Sequence, residues 1–115
     1  MLKIGAEQYA AIGERSFAAR MDTLLRRHFP KETAGLERGA LDAEVLRQAV
    51  VAGRYGLQSE QGVATFILSA WLLGPGFDAR IPAITERLAD SQLAEAEKAA
   101  WLEAFSSALL HALSR

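Results

Sequence analysis

The stretch Ser59-Glu60-Gln61-Gly62-Val63-Ala64-Thr65-Phe66-Ile67-Leu68-Ser69-Ala70-Trp71-Leu72-Leu73-Gly74-Pro75-Gly76 decides the fold. Serine is a preferred helix N-cap, and Glu60 suits the positive end of the helix dipole. Val63, Phe66, Ile67, Ala70 and Trp71 then recur at the spacing of one helical face. Leu72 and Leu73 extend the apolar surface nearly all round, which predicts a helix central to the fold. Gly74-Pro75-Gly76 stops it. The apolar run is broken by Thr65 and Ser69 and is far shorter than the roughly 20 residues needed to cross a bilayer. It therefore reads as a core helix.

Upstream, Tyr55-Gly56 closes a helix from about Leu41, with Leu41, Val45, Leu46, Ala49, Val50 and Ala52 as its apolar face and Gly56 as a left-handed C-terminal cap. Residues 30–40 read as a polar connector. The first helix spans about Ala6 to His28, with a stripe of Tyr9, Ile12, Phe17, Met21, Leu24, Leu25 and His28. Arg26, Arg27 and His28 sit in its last turn, where cations are favoured, and Pro30 ends it. Downstream, Phe77-Asp78 lead to a short helix from Pro82 to Ala89, which buries Ile84 and Leu88. Asp90 or Ser91 is expected to cap a last helix over about Gln92 to Leu113. Its stripe is Leu93, Ala96, Ala100, Trp101, Phe105, Leu109 and Leu113. No segment alternates like a strand, and no Asn-Gly or Asp-Gly turn occurs. The expectation is an all-α fold, a compact bundle of four to five helices forming a single helical domain over 1–115.

Bulk properties bound the function. One hundred and fifteen residues fit one domain with a core that needs no staples. With no cysteine, disulfides and thiolate metal sites are ruled out. Thirteen basic against 14 acidic residues give a net charge of -1, which is not the footprint of a nucleic-acid binder. The opening residues lack an apolar signal segment, so a cytoplasmic protein with no membrane association is expected.

The search for chemistry yields little. His28 and His111 stand apart and form no His-x-x-x-His or Glu-x-x-His pair, so no metal is expected. There is no Gly-x-Ser-x-Gly elbow and no P-loop, and Gly74-Pro75-Gly76 reads as a turn or a docking loop. The carboxylates fall singly on solvated faces, so no catalytic set and no cofactor is expected. What is left is binding chemistry. Trp71 and Trp101 serve either as core or as interface anchors. Tyr55 sits at a helix end where its hydroxyl can stay wet. Phe77 is either a core plug or a knob offered to a partner. Arg26 and Arg27 either cap their helix or grip acidic groups. Arg26, Arg27, Tyr55, Trp71, Phe77 and Asp78 are the candidate partner-binding residues.

Three patterns occur together: Leu24-Leu25-Arg26-Arg27-His28-Phe29-Pro30, the run from Tyr55-Gly56-Leu57-Gln58-Ser59-Glu60 to Phe66, and Leu73-Gly74-Pro75-Gly76-Phe77-Asp78 followed by Ile81-Pro82. In this order the chain resembles a family of small helical bacterial proteins. Their genes lie in type VI secretion and polymorphic-toxin loci, near adaptor chaperones that load effectors. The resemblance covers roughly residues 17 to 102. It implies a non-enzymatic, co-chaperone-like accessory factor whose partner is the adaptor chaperone or the toxic effector. It also points to Tyr55, Ser59, Glu60, Gly74, Pro75, Phe77 and Asp78, mostly as caps, a turn and a core anchor. Leu57 departs from the isoleucine of that pattern. Gly62 departs from its usual acid, at up to about 1 kcal/mol of helix propensity. The main alternative is an immunity protein that neutralises a cognate toxin. A small helical enzyme and a homodimer seamed by the apolar helix are further alternatives.

Overall fold

The structure, a computed structural model, describes residues 6–113 and the side chains of residues 16–112. The described residues form seven helices and no strand: α1 (Ala6–His28), α2 (Pro30–Thr33), α3 (Arg38–Arg54), α4 (Glu60–Leu73), α5 (Phe77–Arg80), α6 (Pro82–Ala89) and α7 (Glu95–Leu113). The fold is all-α as expected, but with seven helices in place of four to five. The two extra ones, α2 and α5, are four-residue turns in stretches read as a connector and a loop. Pro30 at the first position of α2 and the left-handed Gly76 before α5 start helical turns too short to show a period.

The chain divides into two compact units, one up to Arg47 and one from Gln48. In the first, α1 buries Ala18, Met21 and Leu25, and the opening turns of α3 bury Leu41 and Val45. Tyr9 and Ile12, expected on the α1 stripe, lie outside the described side chains. Arg26 ties this unit's helices together. Its Nε donates to Asp22 Oδ1 at 3.0 Å, and its two terminal nitrogens donate to the carbonyls of Thr33 (3.1 Å) and Leu36 (2.8 Å). One planar guanidinium thus closes the free carbonyl end of α2.

In the second unit, α3 ends in a left-handed cap. Gly56 has φ 85°, its N–H donates to the Gly53 carbonyl at 3.0 Å, and Leu57 N–H reaches back to the Ala52 carbonyl at 3.1 Å. This double bond pattern, with Leu57 and Ala52 both buried, is the Schellman motif that only glycine permits cheaply. The α3 face differs from the expected one. Leu41, Val45, Gln48 and Ala52 are buried, whereas Val50 is 60% exposed.

The helices α4 and α7 run parallel, since Ser59 meets Glu95 at one end and Ser69 meets Ser106 further along both. The connection carrying α5 and α6 returns the chain to the same end. Phe66, Ile67, Phe77, Ile84, Leu88 and Leu102 are fully buried. Phe66 packs on Phe77 with ring centroids 4.9 Å apart. The face of α7 is Lys98, Ala99, Leu102 and Ser106, whereas Ala96 and Ala100 are exposed and Trp101 and Phe105 half-buried. The expected stripe was therefore about one residue out of phase. The helix starts at Glu95 and not near Gln92. Asp90 closes a tight turn by accepting the Gln92 N–H at 2.9 Å, and Glu97 accepts the Ala94 N–H at 2.9 Å, as in half of a capping box.

Candidate functional site

The motif residues of the second unit are drawn together by hydrogen bonds that end helices. Ser59 caps α4, accepting the Gly62 N–H at 3.0 Å. The Glu95 carboxylate, from the first turn of α7, accepts the N–H of Gln58 (3.0 Å), the N–H of Ser59 (2.7 Å) and the Ser59 hydroxyl (2.5 Å) on a single oxygen. It occupies the anion position at the start of α4. Gly62 makes room for it, because a Cβ there would stand 2.5 Å from Glu95 Oε2. This explains the glycine whose helix propensity is poor.

At the other end of α4, Gly74 and Gly76 take φ of 98° and 81°, a conformation that favours glycine. Arg80 folds over this turn and donates to the Leu73 carbonyl at 3.0 Å. Phe77 is fully buried, so of its two expected readings it is the core plug. Asp78 is half-buried and accepts the Tyr55 hydroxyl at 2.8 Å. Burial pushes the Tyr55 phenol up to about 12, with the hydrogen bond to the Asp78 carboxylate and its negative charge adding to the rise. On the other side, the buried Lys98 ammonium donates to the Tyr55 carbonyl at 2.7 Å, at the negative end of α3. Tyr55, Phe77 and Asp78 therefore form one cluster with Phe66 and Lys98.

The remaining candidates lie elsewhere. Trp71 is half-buried on α4. Arg26 is occupied by the three bonds described above, whereas Arg27 is exposed and lines a shallow depression with Arg20, Thr23 and Leu24. Both arginines belong to the first unit.

Two features escaped the sequence reading. On one flank of α7, Trp101 and Phe105 stack with centroids 4.9 Å apart and planes at 14°. The Arg87 guanidinium of α6 sits 5.1 Å from the Trp101 ring centre. Spacing of four on a helix is the available signal for the stack, but nothing in sequence pairs it with Arg87. On the other flank lies a cleft of about 340 Å³ between α4 and α7, lined by Gly62, Thr65, Ala96, Ala99, Ala100 and Glu103 among others. The exchange of Ala96 and Ala100 from core to rim made this cleft invisible to the period-based reading.

Among the described residues, no group of three or more His, Asp or Glu is placed to hold a metal ion, and no helix is long and apolar enough to cross a membrane. The fold and these surfaces define an all-α protein whose motif residues serve mainly as helix caps and core anchors. Compared with protein-family models, with curated proteins and with solved structures, the chain matches none of them.

Proposed function

We propose that the protein works by stoichiometric binding to another protein, as a cytoplasmic, co-chaperone-like accessory factor for a type VI secretion effector or its adaptor chaperone. The observation that carries the binding reading is the Trp101–Phe105 stack under Arg87, half-buried on one flank of α7. Tryptophan and arginine are the residues most enriched at binding hot spots, where a rigid aromatic face gives large contact area at small entropic cost. The cap and turn chemistry supports the same reading. Ser59 and Glu95, of the kinds that a catalyst would recruit, are here bonded to each other at the start of α4, and the Tyr55 hydroxyl is bonded to Asp78. The secretion context rests on the resemblance carried by Tyr55-Gly56 through Ser59-Glu60 to Gly74-Pro75-Gly76-Phe77-Asp78.

Affinity purification of the tagged protein from its native host, beside an Arg87→Ala/Trp101→Ala variant checked for retained helicity, tests this reading. Recovery of an adaptor chaperone or effector in near-equal amount, lost with the variant, is the expected result. Recovery of a toxic domain whose activity is neutralised would identify an immunity protein instead. Recovery of no partner by either form would overturn the binding reading.

A further inference from the structure

The cleft lies between α4 and α7, and exposed positions continue beyond it along the seam of these two helices. Because the two helices are parallel, Gln61, Thr65 and Leu72 follow one another along one wall, and Ala96, Ala100, Glu103, Ser107 and Leu110 along the other. At a rise of 1.5 Å per residue, residues 61–72 make a wall about 17 Å long, the length of three helical turns. The floor of the cleft is small and apolar, formed by the buried Gly62 and Ala99, with the exposed Ala96 and Ala100 beside it. Further along, Leu72 and Leu110 stand 36% and 39% exposed at the same level of the two helices. These two exposed leucines add apolar surface to the seam beyond the cleft.

The charge of the groove selects its occupant. Two carboxylates, Glu95 and Glu103, line the cleft, and no cationic side chain does. Glu95 is bonded through one oxygen to the start of α4. Glu103 is exposed and carries no hydrogen bond or ion pair among the described residues. An uncompensated carboxylate above an alanine floor fits a long basic side chain, whose methylene stem lies on the alanines while its head meets the acid.

We infer that the α4–α7 groove is a docking site for an amphipathic helical segment of a partner protein, seated with an arginine or lysine against Glu103 and apolar residues over Leu72 and Leu110. The inference rests on the protein-binding reading and adds a second surface, on the opposite flank of α7 from the Arg87–Trp101 stack, together with the chemistry of the segment that it takes. A helix laid in a groove is read at positions one turn apart, and the groove offers three such levels. The small residues at its upper end let the partner's backbone approach closely there, and the leucines meet its side chains further down.

The test places a photo-crosslinking amino acid at Gln61, on the groove rim, in the full chain expressed in its native host. Parallel chains carry it at Ala83 on α6 and at Ser16 on α1, both exposed and neither among the residues lining the cleft. The adducts are mapped by mass spectrometry. The expected result is an adduct from Gln61 to a helix-forming segment that carries arginine or lysine. That adduct should fall about tenfold or more with Glu103→Lys, and again with Ala100→Trp, which fills the cleft, in proteins that keep their helicity and melting temperature. An adduct from Gln61 to a second copy of this chain or to an acidic segment would overturn the inference. So would an adduct insensitive to both substitutions. Adducts from Ala83 or Ser16 but none from Gln61 would sink the groove and leave the protein-binding reading standing. No adduct from any position would sink both.

Discussion

Replacing Gly62 with alanine should destabilise the protein, although alanine is the better helix former. In the first turn of α4 the exchange by itself is worth up to about 1 kcal/mol in favour of alanine. The added Cβ, however, would lie 2.5 Å from Glu95 Oε2 and 3.2 Å from Ser59 Oγ. The carboxylate is the far end of a flexible side chain, so it swings away, and its bonds to Gln58 N–H, Ser59 N–H and the Ser59 hydroxyl go with it. Hydrogen bonds to a charged acceptor contribute about 1.5–3 kcal/mol when buried and less at an exposed site such as this one. A combined loss of about 2 kcal/mol outweighs the propensity gain and leaves a net destabilisation of about 1 kcal/mol. For a chain of this size that lowers the melting temperature by about 4 °C. The sign should invert in a Glu95→Ala background, where the 2.5 Å clash is gone and the Ser59 hydroxyl at 3.2 Å need give by only a few tenths of an ångström, so that Gly62→Ala should stabilise by up to about 0.5–1 kcal/mol. The assay is a four-variant cycle by urea denaturation and thermal melting. A Gly62→Ala protein more stable than the parent, or an effect of equal sign and size in both backgrounds, would refute the account of this glycine.

Further outcomes follow from the other contacts. With Tyr9→Phe leaving Tyr55 as the single tyrosine, an ultraviolet titration should show a phenol midpoint of about 12, lower in Asp78→Asn but still above the free value because burial, the larger cause, remains. Because the folded-state value is raised, the stability linked to Tyr55 is fully present below pH 10 and is lost as the pH climbs to about 12, so denaturation midpoints should decline across that window and stay flatter in Tyr55→Phe. Phe77→Ala removes a fully buried ring from contact with Phe66 and should cost about 3–5 kcal/mol, read as a large fall in the urea midpoint. Ser106→Ala should cost less than about 1 kcal/mol, because the Ser69 hydroxyl keeps its bond to the Thr65 carbonyl at 2.9 Å. A loss above about 2 kcal/mol there would contradict the geometry. Arg26→Lys should destabilise nearly as much as Arg26→Ala, about 1–2 kcal/mol, since one ammonium cannot span Asp22 and two separate carbonyls.

Punctuation residues made much of this fold readable. Ser59 caps α4, Gly56 ends α3 in a left-handed turn, Pro82 opens α6, and Ile84 and Leu88 are its buried pair, all as their chemistry predicts. The failures have a common physical cause. Helical phase is read from contrast between apolar and polar positions, and alanine supplies none. On α7, alanines at 96, 99, 100, 104 and 108 allow several faces, and the aromatic residues drew the expected stripe toward themselves. The face that is buried includes Lys98 and Ser106, two polar residues whose partners, the Tyr55 carbonyl and the Ser69 hydroxyl, lie 43 and 37 residues away in sequence. On α3, Gln48 displaced Val50 in the same way. Long-range polar partners of this kind leave no periodic trace.

That error of phase also hid the two exposed flanks of α7. A helix buried on one side alone should show clear amphipathicity. From Ala99 onward α7 carries only Glu103 and His111 as ionisable residues up to Leu113, although Ala100, Ala104, Ser107, Ala108 and Leu110 are exposed. Such a helix is more apolar than its burial within this chain requires. The excess falls on two flanks, one bearing the Trp101–Phe105 stack with Arg87, the other bearing the alanine floor and the uncompensated Glu103. Stability gives no reason to leave a carboxylate and two leucines along an alanine-lined groove, because a lysine or glutamate at Ala100 would keep the helix and improve solubility. A partner that covers the groove does give one. The same residues then serve two states: a solvated helix in the free protein and a buried seam in the complex. On that view Ala100→Lys should leave the isolated protein's melting temperature within a few degrees of the parent while abolishing capture of the partner in the host. Loss of folding with Ala100→Lys would instead mean that α7 needs its apolar outer face for itself, and the groove would be a feature of the core.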